Sequence, residues 1–265
     1  MADRASPRPA IFITGAAAGI GRATAERFAA RGWFVGLYDV NETGVKDLRG
    51  TLGEANALAG RLDVTDAAAF SFALSEFYEA AGGRLDVLFN NAGIVTVEEF
   101  DKVPLDRHHA VIDVNFKGVV NGAHAAFPYL AQTPGACMIS MSSASALYGP
   151  PQFATYAATK FAVKGLTEAL DLEWRRHGIT VRDVLPLFVD TPMTRQFERH
   201  PRSMERLGLR LTAPDIADAV WRAAHWRLWP RVHWYPGLQT YVLALTQKFM
   251  PGWFNRLTTR IVSGY

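Results

Sequence analysis

Tyr156 and Lys160 carry the clearest chemical signal in the sequence, because they lie four residues apart in a stretch with helical apolar spacing. Side chains at positions i and i+4 share one helix face, so the lysine ammonium can lie beside the tyrosine phenol. A free phenol has a pKa near ~10, and a nearby cation lowers that pKa by favouring the phenolate. The pair therefore predicts a tyrosine that exchanges protons near neutral pH; an exposed lysine beside a half-buried tyrosine is the structural alternative.

A serine pair precedes this helix, at the end of an apolar run at residues 135–143 that is typical of a buried strand. Ser143 lies thirteen residues before Tyr156, and this spacing resembles the short-chain dehydrogenase/reductase family. Further signatures of that family follow its order at residues 14–21, 90–93, 115 and 186–191. The resemblance covers roughly residues 10–191 and continues more weakly to about residue 236.

The resemblance implies four catalytic residues. Ser143 would hydrogen-bond the substrate oxygen, and Tyr156 would exchange the hydroxyl proton. Lys160 would lower the Tyr156 pKa and bind the nicotinamide ribose, and Asn115 would hold a water linked to that lysine. Ser142 does not have the family spacing, and we interpret it as a structural neighbour.

A glycine-rich turn at residues 15–21 separates an apolar run at residues 10–14 from a helical pattern at residues 22–31. Such a turn presents backbone N–H groups and the positive end of a helix to a phosphate. It resembles the T-G-x-x-x-G-x-G form of the family, although small residues also allow a helix to pack closely on a strand. The sequence therefore indicates a dinucleotide site.

Asp39 ends the second predicted strand, eighteen residues after Gly21. An acidic side chain near this position accepts hydrogen bonds from the adenosine ribose and repels a 2′-phosphate. Relatives that prefer NADP place Arg or Lys in the glycine turn or just after this strand, where this chain has alanines and Val40. We therefore expect the cofactor to be NAD.

The resemblance extends the predicted cofactor contacts along the chain. Asp63 and Val64 would pack on the adenine edge. The Asn-Ala-Gly segment at residues 91–93 would let the cofactor approach the backbone, and the loop at residues 186–191 would contact the nicotinamide carboxamide. The predicted cofactor-binding residues are Gly15, Ala17, Ala18, Gly19, Ile20, Gly21, Asp39, Asp63, Val64, Asn91, Ala92, Gly93, Tyr156, Lys160, Pro186, Val189 and Thr191. In that later loop Leu187 replaces the usual glycine, which predicts a reshaped pocket or reduced activity.

Strand-like and helical patterns alternate along the chain, which favours a doubly wound α/β fold with its ligand at the strand ends. Apolar runs predict strands at residues 10–14, 33–39, 57–62, 85–89, 135–143, 180–186 and 232–235. The longest predicted helices cover residues 105–130 and 155–176. We expect a Rossmann-type, mostly parallel seven-stranded sheet in a single domain of residues 1–265. Residues 192–212 would form a substrate lid and residues 237–265 a C-terminal aromatic-rich helical extension.

The composition is that of an ordinary globular enzyme, with 49% apolar and 20% charged residues among 265. The net charge of +3 is scattered, so a nucleic-acid partner is not expected. Cys137 is the only cysteine, and residues 1–9 lack the apolar core of a signal peptide, so we expect a cytoplasmic protein. His108 and His109 are expected at the surface, and no metal site is predicted.

Two C-terminal features leave alternatives open. The predicted lid contains Arg195, Arg199, Arg202, Arg206 and Arg210, which either recognise an acidic group or form a solvated face with Glu198 and Glu205. Five of the seven tryptophans follow residue 220. Core packing with subunit contact is the favoured reading of these tryptophans, and an apolar substrate pocket or a membrane surface are the alternatives.

These observations together predict an NAD-dependent oxidoreductase that transfers hydride between nicotinamide and an alcohol or carbonyl substrate. The tail and lid favour a hydrophobic small molecule, such as an apolar secondary alcohol or ketone. The resemblance implies a homodimer or homotetramer. The alternatives are a non-catalytic dinucleotide-binding sensor or scaffold, and a membrane-surface-associated NADP-dependent reductase.

Overall fold

Seven parallel strands form the central sheet of the protein. In the computed structural model, which describes residues 8–197 and 200–265, the strands lie in the order β3 (Ala57–Arg61), β2 (Phe34–Asp39), β1 (Ala10–Thr14), β4 (Val87–Asn90), β5 (Cys137–Met141), β6 (Thr180–Val184) and β9 (His233–Trp234). Two short strands, β7 (Val189–Asp190) and β8 (Leu211–Thr212), form a separate parallel pair that the sequence did not predict. The predicted fold class is confirmed.

Helices connect the strands and cover the sheet. They are α1 (Gly19–Ala29), α2 (Glu42–Leu52), α3 (Ala67–Ala80), α4 (Leu105–Ile112), α5 (Gly118–Leu130), α6 (Ala154–Trp174), α7 (Pro192–Arg195), α8 (Arg202–Leu207), α9 (Ala213–His225), α10 (Leu238–Phe249) and α11 (Gly252–Ser263). None of the helices described is long and apolar enough to cross a membrane. Two parts of the chain discussed above lie outside the described residues. They are residues 1–7 of the N-terminal segment at residues 1–9, and Glu198 and Arg199 of the predicted lid.

The two faces of the sheet support two separate hydrophobic clusters. Alternate residues of β1 point to opposite faces, so Ile11 and Ile13 join one cluster and Phe12 joins the other. Phe12 stacks on Tyr38 with ring centroids 4.3 Å apart and meets Phe77 edge to face at 5.5 Å. Because both faces are covered, the strands are apolar at nearly every position, which explains why the sequence predicted them well.

The strand order reverses at β1, which pairs with β2 on one side and with β4 on the other. Such a switch point opens a crevice beyond the carboxyl ends of the strands. The Thr14 hydroxyl fixes this crevice, because its oxygen accepts hydrogen bonds from the backbone nitrogens of Asn91 and Ala92, each at 3.0 Å. The Asn91 side chain donates in return to the Thr14 carbonyl at 2.9 Å.

A π-helical turn at Asp113–Lys117 separates α4 from α5, so the predicted helix at residues 105–130 is interrupted. Asn115 lies in this turn and is fully buried. Its side chain donates to the Ile94 carbonyl at 2.9 Å and accepts from the Ile94 backbone nitrogen at 2.8 Å. The π-turn therefore places a buried polar side chain against the backbone of the loop after β4.

His108 corrects the prediction that both histidines of α4 are surface residues. Its side chain is buried, with Nδ1 2.6 Å from the Thr155 hydroxyl and Nε2 3.1 Å from the Phe100 carbonyl. Because a carbonyl only accepts, Nε2 carries the proton and Nδ1 accepts from Thr155. His108 therefore ties α4 to the first turn of α6, whereas His109 is exposed as predicted.

Gly36 in β2 and Gly50 in α2 provide a matched test of core packing. A Cβ on Gly36 would lie 2.7 Å from the ring of Phe77, which is fully buried, whereas a Cβ on exposed Gly50 meets nothing within 4 Å. We expect Gly36→Ala to lower the free energy of unfolding by about 1–3 kcal/mol because it overpacks the core. Gly50→Ala should raise it by about 0.5–1 kcal/mol because alanine favours helix. Urea unfolding followed by tryptophan fluorescence measures both, and equal effects would contradict the described packing.

Candidate active site

A cleft of about 290 Å³ lies at the carboxyl ends of β1, β4 and β5, where the predicted motifs meet. Most of the residues predicted to act or to bind the cofactor line this cleft. They are Gly15, Ala18, Gly19, Ile20, Asp39, Asn91, Ala92, Gly93, Ser143, Tyr156, Lys160, Pro186, Val189 and Thr191. Motifs that are far apart in sequence therefore converge on one site.

Lys160 and Tyr156 occupy one face of α6 and point toward the end of β5. The Lys160 ammonium is buried, lies 5.4 Å from the centre of the Tyr156 ring, and donates to the Met141 carbonyl at 2.8 Å. The Ser142 hydroxyl donates to the Lys160 backbone carbonyl at 3.2 Å, which fits its interpretation as a structural neighbour. The serine after it, Ser143, accepts from the Ser145 backbone nitrogen at 3.1 Å.

Burial dominates the titration of the Tyr156–Lys160 pair. It lowers the pKa of the Lys160 ammonium to about 8, since the charged form loses its water. It also raises the pKa of the Tyr156 phenol, while hydrogen bonding with Ser143 acts in the opposite direction. The expected lowering of the phenol pKa is therefore wrong for the free protein, because desolvation outweighs the neighbouring groups.

The glycine turn and β2 are joined by Asp39. Its carboxylate accepts from the Ala17 backbone nitrogen at 3.0 Å and from the Asn41 backbone nitrogen at 2.9 Å. On the far side of the turn, a Cβ on Gly19 would lie 3.6 Å from the Thr191 side chain. The glycine turn, the acidic end of β2 and Thr191 thus enclose one half of the cleft and fit the outline of a dinucleotide site.

Five predicted site residues do not line the cleft: Ala17, Gly21, Asp63, Val64 and Asn115. Gly21 has a packing role, because a Cβ there would overlap the Gly15 carbonyl. The Asp63 carboxylate accepts from the Thr65 backbone and hydroxyl at 3.0 and 2.7 Å, which lowers its pKa. Val64 packs against Gly118, whose Cβ would lie 2.6 Å away.

Asn115 lies just behind the cleft rather than in it. Besides its bonds to Ile94, its amide nitrogen donates to the Thr159 hydroxyl on α6 at 3.3 Å. A Cβ on Gly93 would lie 3.2 Å from the Asn115 amide oxygen and 3.8 Å from the Lys160 ammonium. Asn115 therefore connects the loop after β4 to the helix that carries the tyrosine and lysine.

Apolar side chains from several loops form the other half of the cleft, and sequence reasoning missed most of them. They are Val95, Tyr148, Pro150, Phe153, Leu187, Phe188, Met193 and Phe197. Leu187, the departure from the usual glycine, lines this half, and its expected effect, a reshaped pocket or reduced activity, stays a prediction. Their shared signal is position, since each follows the end of a strand, on a connecting loop or, for Met193, on the short helix α7.

The family of proteins described as short chain dehydrogenase matches residues 9–202 of the chain, which is well over half of its length. The chain belongs to the short-chain dehydrogenase/reductase family. As a member of this family it is an oxidoreductase, and the sequence-based recognition is confirmed.

The relatives of this chain include dehydrogenases named for alcohols. It is 35% identical over 213 residues to meso-2,3-butanediol dehydrogenase of Serratia marcescens, covering 79% of this chain and 84% of that one. It is 33% identical over 197 residues to cyclohexanol dehydrogenase of Acinetobacter sp. (strain SE19), covering 71% and 75%. A short-chain dehydrogenase/reductase from Burkholderia phymatum, solved in complex with NAD, superposes with a TM-score of 0.81 at 27% identity over 95% of each chain.

Lys160 generates a testable pH dependence of stability. Its folded-state pKa of about 8 is below the ordinary value near 10.5, so the unfolded chain binds more protons between these values. The free energy of unfolding therefore gains a contribution as pH rises from about 8 to about 10. Relative to Lys160→Met, the wild type should gain up to about 1.4 kcal/mol per pH unit in this range.

Urea unfolding of both proteins at several pH values between about 7 and 10 measures this difference. If the difference in the free energy of unfolding between wild type and Lys160→Met does not change with pH, this would contradict a buried, desolvated ammonium at Lys160.

Proposed function

We propose that this protein is an NAD-dependent oxidoreductase that transfers hydride between nicotinamide and an apolar secondary alcohol or the corresponding ketone. The observation that carries the proposal is the convergence of Ser143, Tyr156 and Lys160 in a cleft with two unlike halves. One half is enclosed by a glycine turn and the Asp39 carboxylate, and the other by apolar side chains.

The residues present fit a dinucleotide. Gly15 leaves no room for a side chain, since a Cβ would lie 2.9 Å from the Ala92 Cα, so backbone lines this part of the cleft. Backbone N–H groups at the start of α1 suit a pyrophosphate, and Asp39 suits the adenosine ribose hydroxyls. When bound, NAD supplies the hydride acceptor for alcohol oxidation, and the protein supplies orientation and electrostatics.

Tyr156 accepts the proton of the substrate hydroxyl in oxidation and returns it in reduction. The Ser143 hydroxyl holds the substrate oxygen and stabilises the negative charge that develops there. Burial disfavours the negatively charged phenolate of Tyr156. The protonated Lys160 stabilises this phenolate by its positive charge, which makes proton exchange easier. Asn115 keeps the loop after β4 fixed against α6, and we retain it as the residue that supports a proton-relay water.

The apolar half of the cleft supports a hydrophobic substrate. Phe153, Phe188 and Phe197 line it together with Leu187 and Met193. Burying a polar group against such side chains is costly, whereas an apolar alcohol has few hydrogen bonds with water to lose on entry. The butanediol and cyclohexanol dehydrogenases similar to this chain are named for secondary alcohols, which supports a secondary alcohol as the substrate.

The lid arginines that the structure describes favour a structural role over recognition of an acidic group. Arg195 pairs with Asp190 at 2.7 Å, and Arg206 donates to the Ile261 carbonyl. We retain residues 192–212 as the substrate lid of a single domain, residues 237–265 as its helical extension, a homodimer or homotetramer as the assembly, and the cytoplasm as the location.

Tyr156→Phe tests the proton-transfer role. Removing the hydroxyl should reduce kcat by at least about 100-fold while NADH binding is retained, since only the proton carrier is lost. NADH formation from NAD and a panel of apolar secondary alcohols measures turnover, and NADH fluorescence measures binding.

Tyr129→Phe, on α5 away from the cleft, is the matched control and should leave turnover unchanged. Undiminished turnover in Tyr156→Phe would overturn the assignment. Tight NADH binding without turnover in the wild type over the whole panel would favour the non-catalytic sensor.

Asp39→Asn tests the choice of cofactor. The amide oxygen can still accept from the Ala17 backbone nitrogen, although the acceptor for the Asn41 backbone nitrogen is lost, and the change removes the negative charge that would repel a 2′-phosphate. The wild type should prefer NAD, and the variant should raise the ratio of kcat/KM with NADP to that with NAD by at least about tenfold. An unchanged ratio, or a wild type that prefers NADP, would show that Asp39 does not set the cofactor.

A further inference from the structure

The two C-terminal helices leave a long apolar face in solvent. On α10 the exposed side chains Leu238, Tyr241, Val242, Leu245 and Phe249 recur at intervals of three and four residues, so they share one side of the helix. Leu238 is 79% exposed and Phe249 is 71% exposed. Isolated exposed apolar residues are ordinary, but a contiguous face of this length marks an interaction surface.

The next helix, α11, follows α10 after Met250 and Pro251 and also exposes an apolar face. Trp253, Leu257 and Ile261 are four residues apart, and Trp253 is 69% exposed. Lys248, Arg256 and Arg260 are exposed among these apolar positions. Aromatic and aliphatic side chains flanked by cations are typical of helices that lie in the plane of a membrane surface.

Charge is segregated toward this end of the chain. Residues 219–265 contain six of the 28 Lys and Arg residues and none of the 25 Asp and Glu residues. The remaining 22 cationic and 25 acidic side chains give residues 1–218 a formal charge of −3. The scattered charge inferred from the sequence totals therefore conceals a cationic C-terminal segment on an otherwise weakly acidic protein.

A cavity of about 320 Å³ lies at the start of α10 and is also cationic. Arg222 and Arg231 line it together with Tyr235 and Tyr241, and no carboxylate is among the described residues of its wall. The Arg231 guanidinium stacks 4.0 Å from the centre of the Trp234 ring. Arginines in such a wall suit the oxygens of a phosphate, and Tyr241 belongs both to this cavity and to the apolar face of α10.

We propose that α10 and α11 dock this protein on an anionic phospholipid surface, with the apolar face in the acyl boundary and a lipid phosphate at Arg222 and Arg231. Charge decides between this occupant and a second copy of the chain. Two copies meeting through this segment would bring like charges together, whereas an anionic bilayer attracts each Lys or Arg.

The docking surface lies beside the substrate half of the cleft. α10 packs against the turn at Ala144–Ala146, directly after Ser143, and Arg202 of the lid helix α8 donates to the Gly264 carbonyl at 3.3 Å. If the proposed apolar substrate is correct, docking therefore holds the cleft close to the phase where such a substrate concentrates. The docking itself does not depend on turnover, so it can be tested separately.

Sedimentation of the full chain with vesicles tests the proposal. We expect binding to vesicles of phosphatidylcholine mixed with phosphatidylglycerol, and much weaker binding to phosphatidylcholine alone. Phe249→Glu combined with Trp253→Glu should weaken binding at least tenfold. Phe72→Glu is the matched control, because Phe72 is a similarly exposed (66%) aromatic residue on α3 outside the surface, and it should leave binding unchanged.

Arg222→Gln combined with Arg231→Gln should weaken binding to the anionic vesicles roughly fivefold for each charge removed. Arg107→Gln, an exposed arginine on α4, controls for net charge and should have a smaller effect. Retained NADH binding in every variant shows that the fold is intact, and it separates failure of docking from failure of the proposed activity.

Three outcomes would overturn the proposal. The first is wild-type protein that does not sediment with anionic vesicles. The second is a change of molar mass, measured by light scattering, in the variant that combines Phe249→Glu with Trp253→Glu, without any change in its sedimentation with vesicles. That result would make the surface a subunit interface. The third is binding of inorganic phosphate, lost in the double arginine variant, without any effect of that variant on vesicles, which would make the cavity a site for free anions.

Discussion

The buried ammonium of Lys160 constrains the geometry of the whole site. A desolvated cation needs a strong acceptor, and the Met141 carbonyl at the end of β5 provides it at 2.8 Å. This bond fixes α6 across the carboxyl edge of the sheet, with Ser142 bonded to the Lys160 carbonyl at the same junction. Tyr156, one helical turn earlier, is thereby held beside Ser143. The arrangement of these three side chains in the cleft thus depends on satisfying one buried charge.

Sequence reasoning predicted the sheet and most of the cleft because both depend on short-range rules. Strands covered on both faces, such as β1, are apolar throughout and end abruptly at glycine or a polar residue. Parallel strands all bring their carboxyl ends to one edge, so motifs after β1, β4 and β5 had to meet. The spacing between Ser143, Tyr156 and Lys160 then indicated which side chains face one another, and the structure places all three in the cleft.

The features that sequence missed depend on contacts between distant segments. His108 is buried because Thr155 and Phe100 lie on either side of it. The local sequence does not distinguish it from its exposed neighbour His109. The Tyr156 pKa moves up because burial outweighs hydrogen bonding, a balance that spacing alone does not contain. The arginine-lined cavity at α10 likewise forms where α9 meets the segment at residues 231–241. Asp63 is the exception, because its carboxylate is bound by Thr65 in its own loop.

The π-helical turn at Asp113–Lys117 gives the site an unusual dependence on chain length. A π-turn amounts to one residue inserted into an α-helix, and the insertion is accommodated as a local bulge. Without that extra residue the helix would be regular, and Asn115 would be rotated by about 100° relative to the segment before it. Its contacts to Ile94 and Thr159 would then be lost together. Deletion of one residue from the turn between α4 and α5 would thus disturb the candidate site, although it removes none of the side chains that line the cleft.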